Sequence, residues 1–307
     1  MVQAKPRASC RSSPPTRSVP PWPAAVAAVA LAVAGAVGGW SGVTGARAEP
    51  SSATAAAERL VSAYPDFLAG HDGNWLHWKD GTRMALDDGR GAKPPEVLLA
   101  SPDLEDMFHW PYPAGSPATP PAFAADPGRA RHQPFFDKMY GVCAKGETDK
   151  TLVDIVWLPS KAAQRLKVSR VNGVAGQLEA VSRELDKLPA SFDRYLFPAA
   201  GTYHCRPIAG TSRPSAHGAG IAIDIGLQQA HYWRWSKPDA QGRYAYRNSI
   251  PAEIVAIFEK HGFVWGGRWY HYDTMHFEYR PEFFVRPKPT SAPPSSPSSG
   301  LSSRPVE

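Results

Sequence analysis

The sequence has little cysteine and little net charge. Only three cysteines occur among 307 residues, and no two of them have the C-x-x-C spacing of a thiolate metal site. The first 48 residues hold five of the 34 basic side chains and none of the 28 acidic ones. The rest of the chain therefore has 29 basic and 28 acidic side chains, a net charge of +1. Basic patches with interleaved aromatic residues are also missing, so the composition argues against nucleic-acid binding.

The first 48 residues have the pattern of an export signal. Four basic side chains precede a continuous apolar run over 24–39, and the sequence ARA at 46–48 fits the cleavage pattern of a signal peptidase. Cys10 lies before the apolar run, which argues against a lipoprotein. We predict a cleaved signal peptide over 1–48 and a periplasmic or secreted protein. The alternative is an uncleaved membrane anchor, since a span needs about 20 apolar residues and 24–43 offers them.

The two cysteines that follow the signal are Cys143 and Cys205. A single remaining pair in an exported protein favours a disulfide, and two buried thiols are the alternative. Residues 287–307 contain six prolines and seven serines, a composition that predicts a disordered tail. The residues between signal and tail suit one domain, or a small N-terminal part with a main one. We divide them into an N-terminal extension over 49–140 and a main domain over 141–286.

Helices and strands are both predicted between the signal and the tail. Helices are expected over 55–67, 171–189 and 249–262, from apolar spacing and from the positions of proline and glycine. Asp80-Gly81 predicts a hairpin, and strands are expected over 151–159, 221–225 and 272–282. The Pro- and Ala-rich residues 111–134 predict a long loop or a boundary. Because strands and helices do not alternate regularly, the fold class is predicted to be α+β.

Residues 211–226, TSRPSAHGAGIAIDIG, place a carboxylate inside an apolar strand pattern. A buried carboxylate is costly unless a partner compensates it. In an extended strand the three isoleucines share one face and Asp224 points to the other. His217 precedes the strand behind a glycine-rich turn, so its imidazole can converge with the carboxylate. Taken alone, the two side chains fit either a hydrogen-bonded structural pair or a metal site.

A second strand pattern, YDTMHFEYRPE at 272–282, places His276 and Glu278 on one face and Asp273 three residues before the histidine. Two histidines and one carboxylate leave a tetrahedral position open for water, which is the pattern of catalytic zinc. A further carboxylate that is not a ligand then suits a general base. Glu278 fits either a residue that supports the site or a surface ion pair.

The two motifs together resemble the M15 family of zinc peptidases, which contains D-Ala-D-Ala carboxypeptidases and L-Ala-D-Glu endopeptidases and shares its fold with hedgehog-type domains. The family pattern is S-x-H-x6-D followed by carboxylate-x-x-H. It is matched here at Ser215, His217, Asp224, Asp273 and His276. The resemblance spans residues 170–285, leaves 49–140 outside, and implies a small antiparallel sheet flanked by helices.

The resemblance also implies a role for each matched residue. The implied ligands of one Zn²⁺ per chain are His217, Asp224 and His276. Asp273 would take a proton from the attacking water and deliver it to the leaving amine. Arg206 would polarise the scissile carbonyl and stabilise the oxyanion, and Ser215 would support the site with a hydrogen bond.

Two features depart from the family pattern. The D,D-dipeptidases of vancomycin resistance carry glutamate at the position of Asp273, although the endolysin-like branch carries aspartate. Arg206 stands 11 residues before His217, closer than in those dipeptidases.

The remaining aromatic and histidine side chains near the motifs are interpreted as structural. Core packing, with a substrate wall as the alternative, is predicted for Trp265, Trp269, Tyr270 and Tyr272. Surface or capping positions are predicted for His204, His231, His261 and His271.

The sequence therefore predicts an exported zinc peptidase that hydrolyses peptidoglycan stem peptides, either as a D,D-carboxypeptidase or as an L-Ala-D-Glu endopeptidase. The alternative is a non-catalytic, metal-containing module of the same fold that binds the cell wall. Retention of Asp273 and Arg206 favours the enzyme, because a binding module needs no base. A structural envelope protein without metal is the third hypothesis.

Overall fold

A computed structural model describes residues 52–286. The helices are α1 (Ser52–Ala63), α2 (Pro95–Ala100), α3 (Gln133–Tyr140), α4 (Val174–Leu185), α5 (Asp193–Leu196) and α6 (Ala252–Lys260). The strands are β1 (Leu68–His71), β2 (Trp75–Trp78), β3 (Arg83–Ala85), β4 (Leu152–Trp157), β5 (Gln164–Ser169), β6 (Ala222–Asp224), β7 (Phe263–Trp265) and β8 (His276–Tyr279). The predicted signal peptide and tail lie outside the described residues. None of the helices within 52–286 is long and apolar enough to cross a membrane.

The strands form three small antiparallel sheets. Their orders are β1-β2-β3, β4-β5 and β6-β8-β7. Together with the helices they confirm the predicted α+β class. The hairpin predicted at Asp80-Gly81 is present, because β2 and β3 pair across it and Gly81 takes the left-handed backbone that this turn requires, with φ +83°.

The predicted helices and strands of the motif region are present, with shorter bounds. Helix α4 lies inside the predicted 171–189, and four residues at helical spacing face the core: Val174, Leu178, Val181 and Leu185. Helix α6 lies inside the predicted 249–262 and buries Ile254, Val255 and Phe258. Helix α1 covers Ser52–Ala63 instead of 55–67, because the chain turns before Pro65.

The hydrophobic core runs through both predicted parts of the chain. Leu60 and Tyr64, from the N-terminal extension, are fully buried in one cluster with Phe135 of α3 and Phe258 of α6. The Tyr64 hydroxyl also donates to Glu282 Oε2 at 2.6 Å. The extension and the main domain therefore pack against each other, although where one ends and the other begins stays a prediction.

A buried arginine fastens residues 109–132, which contain no helix or strand, to the end of β8. Arg280 is fully buried and donates from Nη1 to the Gly128 carbonyl at 2.8 Å and from Nη2 to the Ala130 carbonyl at 3.2 Å. Its charge is compensated by Glu282 Oε1 at 2.5 Å and Glu278 Oε1 at 3.4 Å. Buried charge is tolerated when it is paired in this way. The long loop is therefore an integral part of the fold.

The predicted disulfide is present. Cys143 and Cys205 are bonded, and their Cα atoms are 5.7 Å apart. The bond joins the chain after α3 to the segment that leads into the His217 turn.

Replacing both cysteines by serine should lower the free energy of unfolding by about 4 kcal/mol, because a cross-link over this separation restricts the unfolded chain. Urea denaturation of the double variant under non-reducing conditions measures the difference. Wild-type protein in dithiothreitol serves as the control and should show the same shift. An unchanged midpoint in the double variant would contradict a stabilising role.

Candidate metal centre and active-site cleft

Strand pairing brings two predicted ligands together. Strands β6 and β8 are antiparallel, and their register places Asp224 directly opposite His276. Side chains of directly opposed residues lie on the same face of a sheet. His276 Nδ1 consequently lies 3.0 Å from Asp224 Oδ1, although the two residues are 52 positions apart in the chain.

The third predicted ligand comes from the turn before β6. His217 lies in a single turn of 3₁₀ helix, whose first backbone groups are capped by Ser215; the serine hydroxyl accepts from His217 N at 3.4 Å. The turn ends at Gly220, which has φ +67° and a backbone so close to Ser169 N that a Cβ would lie 3.1 Å away. Only glycine suits that position. His217 Nε2 then lies 3.2 Å from Asp224 Oδ1 and 3.2 Å from His276 Nδ1.

The donor set fits a zinc ion. One ligand atom from each of His217, Asp224 and His276 lies within 4.8 Å of the other two. Each imidazole also has its second nitrogen against an acceptor. His217 Nδ1 lies 2.9 Å from the Thr202 carbonyl, and His276 Nε2 lies 3.6 Å from Glu278 Oε2. Such outer partners fix the ring orientation of metal-binding histidines, and two nitrogens with one carboxylate are typical ligands of catalytic zinc.

The electrostatics of the three ligands favour positive charge at their centre. Burial alone would raise the pKa of Asp224, but the adjacent His217 and His276 outweigh burial and hold that pKa well below its ordinary value. Burial lowers the pKa of His276, yet its contacts with Asp224 and Glu278 raise the pKa to about 10. A group of side chains that binds a proton this strongly is also suited to bind a cation.

Asp273 lies beside the three ligands without joining them. Its Oδ1 is buried and lacks a hydrogen-bond partner among the described residues. Burial raises the pKa of Asp273 to about 6, against the opposing charges of His276 and Arg129. A carboxyl group with a pKa near neutrality is suited to both accept and donate a proton. Its backbone is fixed by Gly266, whose carbonyl accepts from Asp273 N at 3.0 Å and whose Cβ, if present, would lie 2.4 Å from the Asp273 carbonyl oxygen.

All six predicted site residues line one cleft of about 230 Å³. They are Arg206, Ser215, His217, Asp224, Asp273 and His276. Arg206 is the least engaged of the six, since its side chain is exposed and donates one hydrogen bond, from Nη1 to the Pro207 carbonyl at 3.4 Å. The structure thus places Arg206 at the rim of the cleft, and its catalytic role stays a prediction.

Two cleft residues escaped the sequence analysis because they come from the long loop at 109–132. Arg129 and Arg131 both line the cleft. Arg131 donates from Nη1 to Glu278 Oε2 at 2.7 Å, and Arg129 stacks over the Trp269 ring with its Cζ 5.1 Å from the ring centroid. The sequence carries no local signal for this return of the loop. Pairing Arg131 with the motif residue Glu278 requires the fold.

Glu278 does not form a surface ion pair. The side chain is fully buried between Arg131, Arg280 and His276. Of the two sequence interpretations, the structure agrees with a residue that supports the site. Burial has a simple cause, because β8 is the central strand of its sheet and is covered on both faces.

The aromatic residues predicted for the core are buried. Trp265 and Tyr272 are fully buried, and Trp269 and Tyr270 are almost so, although Trp269 also forms part of the cleft wall. The exposed aromatic side chain of the cleft is a different one, Trp235, which is 64% exposed at the rim.

A second group of carboxylates lies apart from the cleft. Asp87, Asp88 and Asp103 bring their oxygens within 4.8 Å of one another. The ammonium group of Lys93 lies 2.9 Å from oxygens of both Asp88 and Asp103, so a side chain of this protein already compensates their charge. This group is an ion-pair network.

Comparison with known families points to the same residues. Residues 209–279 match the family model described as D-alanyl-D-alanine carboxypeptidase, of the M15 peptidases. This segment contains the three candidate ligands and Asp273, whereas Arg206 and the long loop fall outside it. Searches among curated proteins and among solved structures gave no match. The match supports a peptidase related to the M15 family.

Replacing Glu278 by glutamine should weaken zinc binding about 10- to 100-fold, because the neutral amide holds the His276 ring less firmly. Competition with a chromophoric chelator measures the zinc dissociation constant. Glu179→Gln, on the exposed face of α4, is the matched control and should bind zinc as the wild type does. A folded Glu278→Gln protein with wild-type affinity would show that Glu278 serves the core alone.

Proposed function

We propose that this protein is an exported zinc-dependent peptidase that hydrolyses the stem peptides of peptidoglycan, as a D,D-carboxypeptidase or an L-Ala-D-Glu endopeptidase. One observation carries the proposal: three zinc-type ligands converge in a cleft beside a buried carboxyl group with no other partner. The family match covers these same residues. The disulfide and the basic-apolar pattern of the first 48 residues support export.

The chain's own residues would divide the work as follows. His217, Asp224 and His276 would hold the ion, and bound zinc supplies a Lewis acid for the carbonyl and lowers the pKa of water. Asp273 would accept a proton from the attacking water and pass it to the nitrogen of the leaving amine. Arg206, at the cleft rim, would place positive charge near the developing oxyanion.

The unpaired state of Asp273 favours an enzyme over a binding module. A buried polar atom without a partner costs about 1–3 kcal/mol of stability. A module that only binds the cell wall gains nothing from this arrangement, whereas a proton carrier must keep its oxygen free for water and substrate.

Mass spectrometry of muropeptides after digestion tests the proposal. Release of D-alanine identifies a carboxypeptidase, and separation of L-alanine from D-glutamate identifies an endopeptidase; either product should disappear when a chelator removes zinc. Absence of any chelator-sensitive product would reject the enzyme. If the zinc-loaded protein then still sedimented with cell-wall sacculi, the binding module would be the correct function.

Sequencing the N-terminus of the exported protein tests the signal peptide. We expect the mature chain to begin at Glu49, directly after the small-x-small pattern. A chain that retains residues 1–48 in the membrane fraction would identify an anchor.

A further inference from the structure

We propose that Arg129 binds the free terminal carboxylate of the peptide substrate, so that the cleft selects the last residue of a chain and the protein acts as a carboxypeptidase. The inference rests on the proposed function and chooses between the two reactions that it leaves open. Arg129 lies outside the segment that matches the peptidase family. Its assignment therefore depends on its position in this structure.

The loop that carries Arg129 is fixed to the segment that leads into Asp273. The Ala125 carbonyl accepts from Tyr270 N at 2.8 Å, and the Pro127 carbonyl accepts from Trp269 Nε1 at 2.9 Å. Asp126, which is fully buried, accepts from His271 N at 2.9 Å. Three hydrogen bonds over three residues hold the loop in one place. The position of Arg129 relative to Asp273 is consequently defined by the fold.

The guanidinium group of Arg129 is held on one side and free on the other. Its flat face stacks on Trp269, and Nη1 donates to Asp126 Oδ2 at 3.3 Å. That carboxylate is shared with His271 Nδ1 at 2.7 Å. A guanidinium has five N–H donors, and no other acceptor for Arg129 occurs among the described residues. Its nitrogens are not enclosed without a partner either, so the remaining donors face the cleft.

The neighbouring arginines are engaged differently, which singles out Arg129. Arg131 donates to Glu278 Oε2 at 2.7 Å and to the Pro214 carbonyl at 3.2 Å. Arg213 donates to the Leu99 carbonyl at 2.6 Å. Burial, with the positive charges of Arg129 and Arg131, lowers the pKa of Arg213 to about 10. These guanidinium groups repel one another, and an anionic ligand at Arg129 would relieve the repulsion.

The chemistry of the leaving group explains why a cation is useful at this place. Asp273 delivers its proton to the amine nitrogen of the departing residue. In a carboxypeptidase the departing residue is a free amino acid, and its carboxylate stands on the carbon next to that nitrogen. Arg129 lines the same cleft as Asp273 and forms no ion pair with it, so its donors remain available. Arginine binds a carboxylate through two parallel hydrogen bonds.

An endopeptidase substrate has a neutral amide where the carboxylate would stand. It would leave the charge of Arg129 without compensation, whereas the free acid would neutralise it. The cleft should therefore favour peptides that end one residue after the scissile bond.

Two N-acylated D-Ala-D-Ala peptides test the inference, one with a free carboxylate and one with a C-terminal carboxamide. The zinc-loaded wild type should cleave the acid at least about 30-fold more efficiently in kcat/KM, the effect expected from one buried charge-assisted contact. Arg129→Gln should lose about that factor on the acid, mainly through KM, and much less on the amide. Arg129→Lys should recover part of the preference for the acid.

Arg206→Gln is the matched control at the other side of the cleft, and it should lower cleavage of acid and amide to the same extent. A second measurement avoids turnover altogether: in an Asp273→Asn background, calorimetry should show that Arg129→Gln weakens binding of the intact acid, but not of the amide, by about 30-fold. Thermal denaturation and zinc content verify that each variant is folded and loaded.

Equal losses on acid and amide in Arg129→Gln would overturn the inference. So would a wild type that cuts internal bonds of longer muropeptides and shows no preference for the acid, although the proposed function would then stand. If the zinc-loaded wild type cleaved none of these peptides, the proposed function itself would fall.

Discussion

Replacing Asp273 by asparagine should reduce turnover about 10²- to 10⁴-fold while zinc stays bound, because the amide cannot carry a proton between water and the leaving amine. The expectation follows from the position of the side chain, which lies in the cleft but outside the ligand set. Steady-state kinetics on muropeptides, together with metal analysis of the same sample, measures both quantities.

The control for this substitution is Asp239→Asn, at an exposed carboxylate whose partner is Arg243. It should leave kcat and zinc content unchanged. Wild-type hydrolysis by Asp273→Asn would remove the base from the mechanism. Loss of zinc from this variant would instead make Asp273 a ligand.

Replacing His217 by alanine should abolish zinc retention and with it all hydrolysis. The substitution removes Nε2, which lies 3.2 Å from both other candidate ligands, and it breaks the bond between Nδ1 and the Thr202 carbonyl. Two ligands are too few for a stable zinc site in water. Plasma mass spectrometry after dialysis against a weak chelator should find the wild type loaded and the variant empty.

His204→Ala is the matched control, since His204 lies in the same segment with an exposed side chain. It should keep zinc and activity. A His217→Ala protein that retained one zinc per chain would show that the ion, if any, sits elsewhere.

The local elements of the site could be predicted because their signals are local. Alternation in IAIDI and in MHFEY indicated which side chains share a face, and the antiparallel register of β6 and β8 puts Asp224 opposite His276 as the metal hypothesis required. Helices α4 and α6 were predicted from apolar spacing and from their proline and glycine boundaries. In each case the information lies within a dozen neighbouring residues.

Glu278 shows where alternation stops being informative. The pattern correctly placed it on the face of His276, but it could not tell whether that face is covered. A central strand is buried on both faces, and this depends on which strands lie beside it. The Arg131 and Arg280 side chains that compensate Glu278 come from the long loop and from the next turn of the chain.

The long loop at 109–132 shows what sequence cannot supply. The prediction of irregular structure was correct, yet the loop is held by bonds from Arg280 to the Gly128 and Ala130 carbonyls, about 150 positions away in sequence. Backbone carbonyls have no residue signature. Arg129 and Arg131 therefore could not be assigned to the cleft before the fold was known.

Helix α3 was missed for a different reason. It follows directly after the Pro-rich stretch, and its signals are short: Pro134 in the first turn, an apolar face over two turns and Gly141 just after its end. This combination of proline and glycine is a usable boundary signal.

The pairing of β6 with β8 has a consequence for how this chain can vary in length. A pleated strand reverses the direction of every side chain when it slips by one position. Deleting one residue between Asp273 and His276 would therefore turn the imidazole towards the opposite layer. Insertions around the exposed residues 237–243, by contrast, would lengthen a surface excursion and leave the pleat untouched. Natural or engineered relatives that keep the chemistry should tolerate new residues there and conserve the count of residues here.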